Sequence, residues 1–149
     1  MPRPLIIAHR GDSSRALENS LEAFRCAMAL PVDMIEFDIR KSRDNALWVM
    51  HDETTGKTCS TDINIEASLS DEIARVRLRN NEPIPTLSDA LSLVGGRVAL
   101  NIEVKSDGAG ALTAAHISGA GYRGEVLISS FKEREVLDAK RALPHVPAD

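Results

Sequence analysis

An α/β fold with parallel strands is predicted from the order of apolar segments along the 149-residue chain. Short runs typical of β-strands alternate with longer runs of helical periodicity, and this alternation favours parallel strands covered by helices. A chain of this length with 43% hydrophobic residues can bury one sizeable core. We therefore expect one domain over residues 1–149.

The first part of the chain contains the strand and helix patterns that begin this alternation. A strand is predicted at about 4–9 and a helix is expected to open near Asn19, whose side chain can cap it while Glu22 reaches back. A second strand is predicted at about 33–39, and it turns into another extended piece from Leu47 to Met50.

Residues 53–85, called the excursion below, differ in composition from the rest of the chain. They are rich in Thr, Ser, Asn and Arg, and they contain one weak helical pattern around Asp71 to Leu78. They therefore predict an insertion rather than a core element. Thr86 or Ser88 can cap the helix that follows, and Gly95-Gly96 ends it. The remaining predicted elements are a strand at about 97–104, a helix at about 109–120, a strand at about 125–130 and a helix at about 132–142.

Charged side chains recur on one face of two predicted strands. Side chains two apart along a strand point the same way, so Glu36 and Asp38 share one space. Glu103 and Lys105 have the same spacing on a later strand, and the residues between each pair are apolar. Two further charged pairs end strands, namely His9-Arg10 and His51-Asp52. This pattern is typical of a metal and phosphate site.

Two parallel architectures fit the alternation, a doubly wound open sheet and a (βα) barrel. Carboxylates in the middle of strands favour the barrel, where the inner face leads to a site at the carboxyl ends of the strands. A dinucleotide-binding sheet requires a glycine-rich loop after the first strand, and His9-Arg10-Gly11-Asp12 does not match GxGxxG. We therefore expect a barrel.

Seven segments between residue 6 and about residue 131 form one set of sequence signatures. They are Ile7-Ala8-His9-Arg10-Gly11, Glu18-Asn19-Ser20-Leu21-Glu22-Ala23-Phe24, Ile35-Glu36-Phe37-Asp38-Ile39, Val49-Met50-His51-Asp52, Ile84-Pro85-Thr86-Leu87, Asn101-Ile102-Glu103-Val104-Lys105 and Ile128-Ser129-Ser130-Phe131. In their sequence and order these segments resemble the glycerophosphodiester phosphodiesterase family, and their number makes chance agreement a poor explanation.

The resemblance implies a TIM-type (βα)8 barrel of the phosphatidylinositol-phospholipase-C-like group. It also implies metal-dependent hydrolysis of glycerophosphodiesters to sn-glycerol 3-phosphate and an alcohol. Carried over to the matching positions, the family's site has a divalent metal held by Glu36, Asp38 and Glu103, a general acid/base pair of His9 and His51, and phosphate contacts from Arg10 and Lys105.

Elementary chemistry is consistent with these roles. Three converging carboxylates repel one another, so a hard dication with oxygen ligands, Mg²⁺ or Ca²⁺, is a natural occupant. Histidines titrate near neutrality and suit proton transfer to and from a phosphodiester. The planar fork of Arg10 suits bidentate phosphate contact, and Lys105 supplies a point charge beside Glu103.

The chain departs from the family pattern in two ways. Leu17 stands where the family usually has proline before the Glu-Asn pair. A (βα)8 barrel usually takes roughly 250 residues, whereas this chain ends at Asp149 after the fourth predicted βα unit. We therefore expect a half-barrel with open parallel edges, either a fragment, a truncated gene product or a form that pairs with itself.

The net charge and the length of the apolar runs limit the kinds of partner that we expect. The net charge of -4 argues against nucleic acid, whose phosphate backbone attracts a surplus of Lys and Arg. The apolar runs are too short to cross a bilayer, and the start of the chain does not resemble a signal peptide, so we expect a cytoplasmic protein with a small-molecule glycerophosphodiester substrate. Cys26 and Cys59 have no metal-site spacing and are expected to be ordinary thiols.

Two other functions are compatible with parts of the sequence. The missing length is compatible with a catalytically silent half-barrel that binds a metal or a partner. A phospholipase D-like relative acting on lipid substrates would keep the phosphodiester chemistry. Glu rather than Asp at position 103, and the lack of a membrane-binding apolar segment, count against that second alternative.

Overall fold

The computed structural model describes residues 3–143 and 145, and the described residues form alternating strands and helices. Asp149, the end of the expected domain, lies outside them. The predicted alternation is confirmed. In chain order the elements are β1 (Ile7–His9), α1 (Leu21–Met28), β2 (Met34–Lys41), β3 (Leu47–Val49), α2 (Ser70–Ile73), α3 (Leu87–Val94), β4 (Ala99–Val104), α4 (Ala109–Gly119), β5 (Val126–Ser129) and α5 (Glu133–Ala142).

Four of the strands form a parallel sheet in the order β1-β2-β4-β5. The short strand β3 pairs antiparallel with the carboxyl end of β2, beyond the point where β1 stops. The register places His9 opposite Glu36, and Asp38 opposite Glu103. Each of these two register positions therefore brings together residues that are far apart in sequence.

Helices α1, α3, α4 and α5 cover one face of this sheet. Alternate residues of β2, namely Ile35, Phe37 and Ile39, are fully buried against the helices. Phe24 of α1 contacts Phe37, with 5.3 Å between the ring centroids. The residues between these apolar positions, including Glu36 and Asp38, point to the opposite face. Because that face carries the charges, the predicted division of the strands into an apolar side and a charged side is confirmed.

The excursion packs, together with residues of β3 and the segment after it, around a second hydrophobic core. The predicted extent of its helix, around Asp71 to Leu78, is wrong, because α2 ends at Ile73. Val76 and Leu78 are both buried two residues apart, a spacing that suits extended chain, and Leu78 forms an isolated bridge with Cys59. The second core contains Trp48, Met50, Cys59, Ile65, Ile73, Val76, Leu78 and Ile84.

The start of β1 differs from the prediction. The strand was expected to begin at about residue 4, but it begins at Ile7. Ile6 is held by Asp33 instead, because its N–H donates to the Asp33 carboxylate over 2.8 Å and its carbonyl accepts the Asp33 N–H. Since β1 and β5 lie at the ends of the sheet order, each has one strand neighbour among the described residues.

The start of α1 corrects a second expectation. Ser20, not Asn19, is the cap, and its hydroxyl accepts the Ala23 N–H over 3.1 Å. Asn19 has a left-handed φ of 57° and points elsewhere. By contrast, Thr86 caps α3 as predicted, in a capping box with Asp89, and Gly95 ends that helix with a φ of 57°.

Two smaller findings concern the whole described chain. Helices long and apolar enough to traverse a bilayer are absent from residues 3–143 and 145. Cys26 and Cys59 are both free thiols, as predicted from their spacing.

Candidate active site

Three carboxylates meet on the charged face of the sheet. Glu36 and Asp38 project from β2 and Glu103 from β4, and one oxygen of each lies within 4.8 Å of the others. Glu36 is 6% exposed and Asp38 is fully buried. The strand phase therefore brings together the three residues that the sequence predicts as metal ligands.

The electrostatics of this cluster suit a cation. Burial raises the pKa of Glu36 to about 7, and the negative charge of Asp38 acts in the same direction. Glu36 Oε1 and Asp38 Oδ1 are buried and accept no hydrogen bond from the described residues, although the Lys105 ammonium lies 3.4 Å from Asp38 Oδ1. A buried anionic oxygen without a hydrogen bond is costly. An all-oxygen set of this kind fits a hard dication such as Mg²⁺ or Ca²⁺.

Arg10 lies against two of the carboxylates. It follows β1 with a left-handed φ of 57°, and its main-chain N–H donates to Glu36 Oε2 over 3.0 Å. Its side-chain Nε lies 3.2 Å from Asp38 Oδ2. Gly11 permits this tight turn, because it has a φ of 80° and a Cβ there would lie 2.7 Å from the main chain of Ala23.

Lys105 covers the cluster from the other side. Its ammonium lies 2.6 Å from Glu103 Oε1 and 3.4 Å from Asp38 Oδ1. It also stands 5.4 Å from the ring centroid of Phe131, which follows β5 and is 94% exposed. Both predicted phosphate-binding cations therefore lie beside the carboxylates, where they reduce the local negative charge.

The two histidines occupy different surroundings. His9 Nε2 lies 3.8 Å from Glu36 Oε2, and the His9 side chain is 67% exposed. His51 Nδ1 lies 2.5 Å from Asp52 Oδ1, and this hydrogen bond lowers the pKa of Asp52. In the described residues, no hydrogen bond or ion pair joins the His51 ring to the three carboxylates. With Nδ1 occupied, Nε2 is the ring nitrogen left for a substrate.

Asn19 and Glu18 have site contacts that the sequence analysis missed. Asn19 donates to Asp38 Oδ2 over 2.9 Å. Glu18 joins Arg10 to Lys57 of the excursion, with Lys57 Nζ 2.7 Å from Glu18 Oε1. Both residues fall inside one of the resembling segments, and that position was the available signal for a role beyond helix capping.

The unexpected Leu17 is accommodated without disturbing these contacts. Its carbonyl accepts the Ser20 hydroxyl over 2.6 Å, and its side chain packs against the second core. A leucine at this position therefore contributes apolar contact to the excursion, and the adjacent Glu18-Asn19 pair still reaches the site.

The chain is similar to proteins of one family along nearly its whole length. A sequence model described as the glycerophosphoryl diester phosphodiesterase family matches residues 9–148. The chain belongs to this family. A glycerophosphodiester phosphodiesterase of Caldanaerobacter subterraneus is 34% identical over 97% of this chain and 65% of that protein. The probable glycerophosphodiester phosphodiesterase 2 of Mycobacterium tuberculosis is 31% identical over 93% of this chain and 53% of its own length.

Solved structures of the glycerophosphodiester phosphodiesterase family share the fold. The enzyme from Agrobacterium tumefaciens superposes with a TM-score of 0.88 and 28% identity over 98% of this chain and 66% of its own. A phosphodiesterase of Oleispira antarctica, solved with the product sn-glycerol-3-phosphate, gives a TM-score of 0.85 and 26% identity over 97% of this chain and 64% of its own. The chain thus spans less than two thirds of the length of these relatives.

Proposed function

We propose that this chain carries the metal-binding and proton-transferring groups of a glycerophosphodiester phosphodiesterase. The reaction adds water across a P–O bond and releases sn-glycerol 3-phosphate and an alcohol. The observation that carries this proposal is the grouping of three carboxylate oxygens within 4.8 Å between Arg10 and Lys105. The relative solved with sn-glycerol-3-phosphate supports the choice of substrate.

The roles of the side chains follow from their positions. Arg10 and Lys105 bind the phosphate and offset its negative charge, which grows at the non-bridging oxygens as the bond to phosphorus forms. The nucleophile is either water or the glycerol hydroxyl next to the phosphate. One of His9 and His51 removes its proton, and the other donates a proton to the leaving alkoxide. Asp52 orients the His51 ring through its hydrogen bond with Nδ1.

A dication would be held by Glu36, Asp38 and Glu103. When bound, it supplies Lewis acidity toward a phosphoryl oxygen. The two buried carboxylate oxygens that accept no hydrogen bond, and the all-oxygen donor set, support this assignment to Mg²⁺ or Ca²⁺. The two histidines and the two cations beside the carboxylates argue against the catalytically silent alternative, because a site that only holds a metal does not need proton-transferring and phosphate-binding groups.

The architecture adds a second part to the proposal. We infer that the four parallel strands correspond to part of a closed (βα)8 barrel and that the ends of the sheet make contact with further protein. Large apolar side chains exposed at both ends of the sheet support this inference. Leu5, just before β1, is 67% exposed, Ile7 of β1 is 47% exposed, and Phe131, after β5, is 94% exposed. Self-association of the 149-residue chain through these edges would cover them. Light scattering on the purified chain should then give a mass above that of a monomer.

The catalytic proposal is tested by an assay for released glycerol 3-phosphate in the presence of Mg²⁺ or Ca²⁺. His9→Ala and His51→Ala should each lower kcat by ~10²–10⁴ with little change in KM, because the histidines act in proton transfer and not in substrate binding. His116→Ala is the matched control, since His116 lies on α4 and hydrogen-bonds Ser88. A His51→Ala protein with wild-type turnover would exclude the role given to that residue.

A further inference from the structure

Arg40 is a buried charged residue that the reaction described above does not use. It lies on β2 two residues after Asp38, and its side chain is 11% exposed. Its Nε donates to the main-chain carbonyl of His51 over 2.8 Å. A second guanidinium nitrogen donates to Glu66 Oε1 over 2.8 Å. The guanidinium therefore joins one of the two proposed proton-transfer residues to the excursion.

The carbonyl of His51 needs this donor because the chain leaves the sheet at that point. The pairing of β2 with β3 ends with Ile39 opposite Val49. One more main-chain bond follows, from the Met50 N–H to the Asp38 carbonyl over 3.1 Å. A main-chain carbonyl in a crowded site requires a partner. Arg40 supplies it from the same strand that carries Asp38.

The position of Arg40 is itself fixed from a third direction. Glu66 Oε1, which accepts from Arg40, also accepts the Ser106 hydroxyl over 2.6 Å. The Ser106 oxygen in turn accepts the Lys41 N–H over 3.0 Å, and Ser106 is fully buried. These bonds connect the carboxyl end of β2, the residue after Lys105 and the excursion. The carbonyl of His51 is thereby held relative to the strands that carry the carboxylates.

We propose that Arg40 is a positioning residue that sets the location of the His51 ring, and that Glu66 fixes the orientation of its guanidinium. The planar fork of an arginine delivers donors in fixed directions, which a lysine ammonium does not. The inference rests on the proposed function insofar as His51 transfers a proton. Its structural half, that Arg40 fixes His51, stands without that function.

Arg40→Met tests the proposal through kinetics. A shift of ~1 Å in a reacting group can lower the reaction rate by up to about 100-fold, so kcat should fall about 10- to 100-fold. KM and dication affinity should stay within about twofold of wild type, because within the described residues Arg40 has no hydrogen bond or ion pair with the phosphate-binding cations or the three metal-binding carboxylates. Arg40→Lys should recover only part of the loss.

Arg25→Met is the matched control for loosening of the excursion. Arg25 also pairs with an excursion residue, since its guanidinium lies 3.2 Å from Glu82 Oε1, but it has no contact with His51. This variant should keep wild-type kcat. Should Arg40→Met fail to fold, Glu66→Ala removes the partner of Arg40 from the more exposed side and should lower kcat in the same direction.

NMR of the histidine ring signals separates this proposal from the proposed function. In wild type, the Cε1–Hε1 group of His51 should give one sharp signal. In Arg40→Met and Glu66→Ala it should broaden or double, while the His116 signal is unchanged. His51 signals identical to wild type in both variants overturn the proposal, even if the wild-type chain releases no glycerol 3-phosphate. Altered His51 signals with wild-type kcat overturn its catalytic consequence.

Discussion

Asn19 and Asp38 hold each other at two points. The Asn19 amide donates to Asp38 Oδ2 over 2.9 Å, and the Asp38 main-chain N–H faces Asn19 Oδ1 at 3.4 Å. Asn19 is 3% exposed and adopts a φ of 57°, which directs its side chain toward β2. Because Oδ2 is bound, Oδ1 of Asp38 is the oxygen left facing Lys105 and the other carboxylates.

Removal of the Asn19 amide should weaken the metal site. Asn19→Gly preserves the left-handed φ, so it isolates the side chain from backbone strain. The free energy of unfolding should fall by about 1–3 kcal/mol, because Asp38 loses a buried partner. Dication affinity should fall about 10- to 100-fold, as is usual when a partner of a metal ligand is lost. Urea titration and calorimetry measure the two quantities.

Asn45→Gly is the control for this change. Asn45 also has a left-handed φ, of 66°, but it is exposed in the turn between β2 and β3. Its substitution should alter the free energy of unfolding by less than about 0.5 kcal/mol. Asn19→Gly with wild-type dication affinity would show that the two hydrogen bonds between Asn19 and Asp38 do not affect the metal site.

The raised pKa of Glu36 predicts an unusual pH dependence of stability in protein freed of divalent cations. The unfolded chain releases the Glu36 proton near pH 4.5, whereas the folded state holds it up to about 7. The folded state therefore binds more protons in this window, and stability from Glu36 is lost as pH rises through it. Glu36→Gln, which stays neutral, should gain stability relative to wild type from pH 4.5 to 7.

Chemical unfolding at several pH values measures this difference. Saturating Ca²⁺ or Mg²⁺ should remove the loss in wild type, because a bound dication stabilises the charged carboxylate. The Asp52 carboxylate has a lowered pKa and loses its stabilising effect only as the solution is acidified below this window. A stability difference that does not change with pH would contradict the assignment to Glu36.

The close contact between α4 and α5 leaves no room for a side chain at Gly110. A Cβ at this position would overlap the main-chain carbonyl oxygen of Glu135 and lie 2.8 Å from its carbonyl carbon. The buried Glu135 carboxylate also accepts the Gly110 N–H over 2.7 Å. Gly110→Ala should therefore lower the free energy of unfolding by about 1–3 kcal/mol, the usual range for overpacking.

Gly119 offers the matched control in the same helix. A Cβ there meets nothing within 4 Å. Gly119→Ala should be neutral or stabilise the protein by up to about 1 kcal/mol, because alanine loses less conformational entropy in a helix. Equal effects of the two substitutions in urea denaturation would show that the helix contact is not tightly packed.

How well the sequence predicts a contact depends on how far apart its residues lie along the chain. Glu36, Asp38 and Glu103 were predicted because alternation along a strand is a local signal that fixes a side chain's face. The prediction for Asn19 was wrong because an asparagine before a helix can either cap the helix or donate a hydrogen bond to a distant acceptor such as Asp38. The sign of φ, which decides between the two roles, cannot be read from the sequence.

The contacts of Arg40 show the remaining gap. Its phase on β2, two residues after Asp38, was visible in the sequence. Its partner Glu66 lies 26 residues away in the excursion, where polar residues have no periodic pattern. Such a pair depends on how the excursion folds, and that fold follows from the irregularly spaced second core and not from strand or helix periodicity.

Calorimetric titration of Ca²⁺ or Mg²⁺ into wild type and Glu103→Gln tests the shared metal site most directly. Glu103 lies opposite Asp38 on the neighbouring strand, so its loss removes one of three anionic ligands. Affinity should fall more than about tenfold, since loss of even an outer partner commonly costs that much. Glu133→Gln, an exposed change at the start of α5, should bind as wild type does. Unchanged affinity in Glu103→Gln would contradict a joint site formed by Glu36, Asp38 and Glu103.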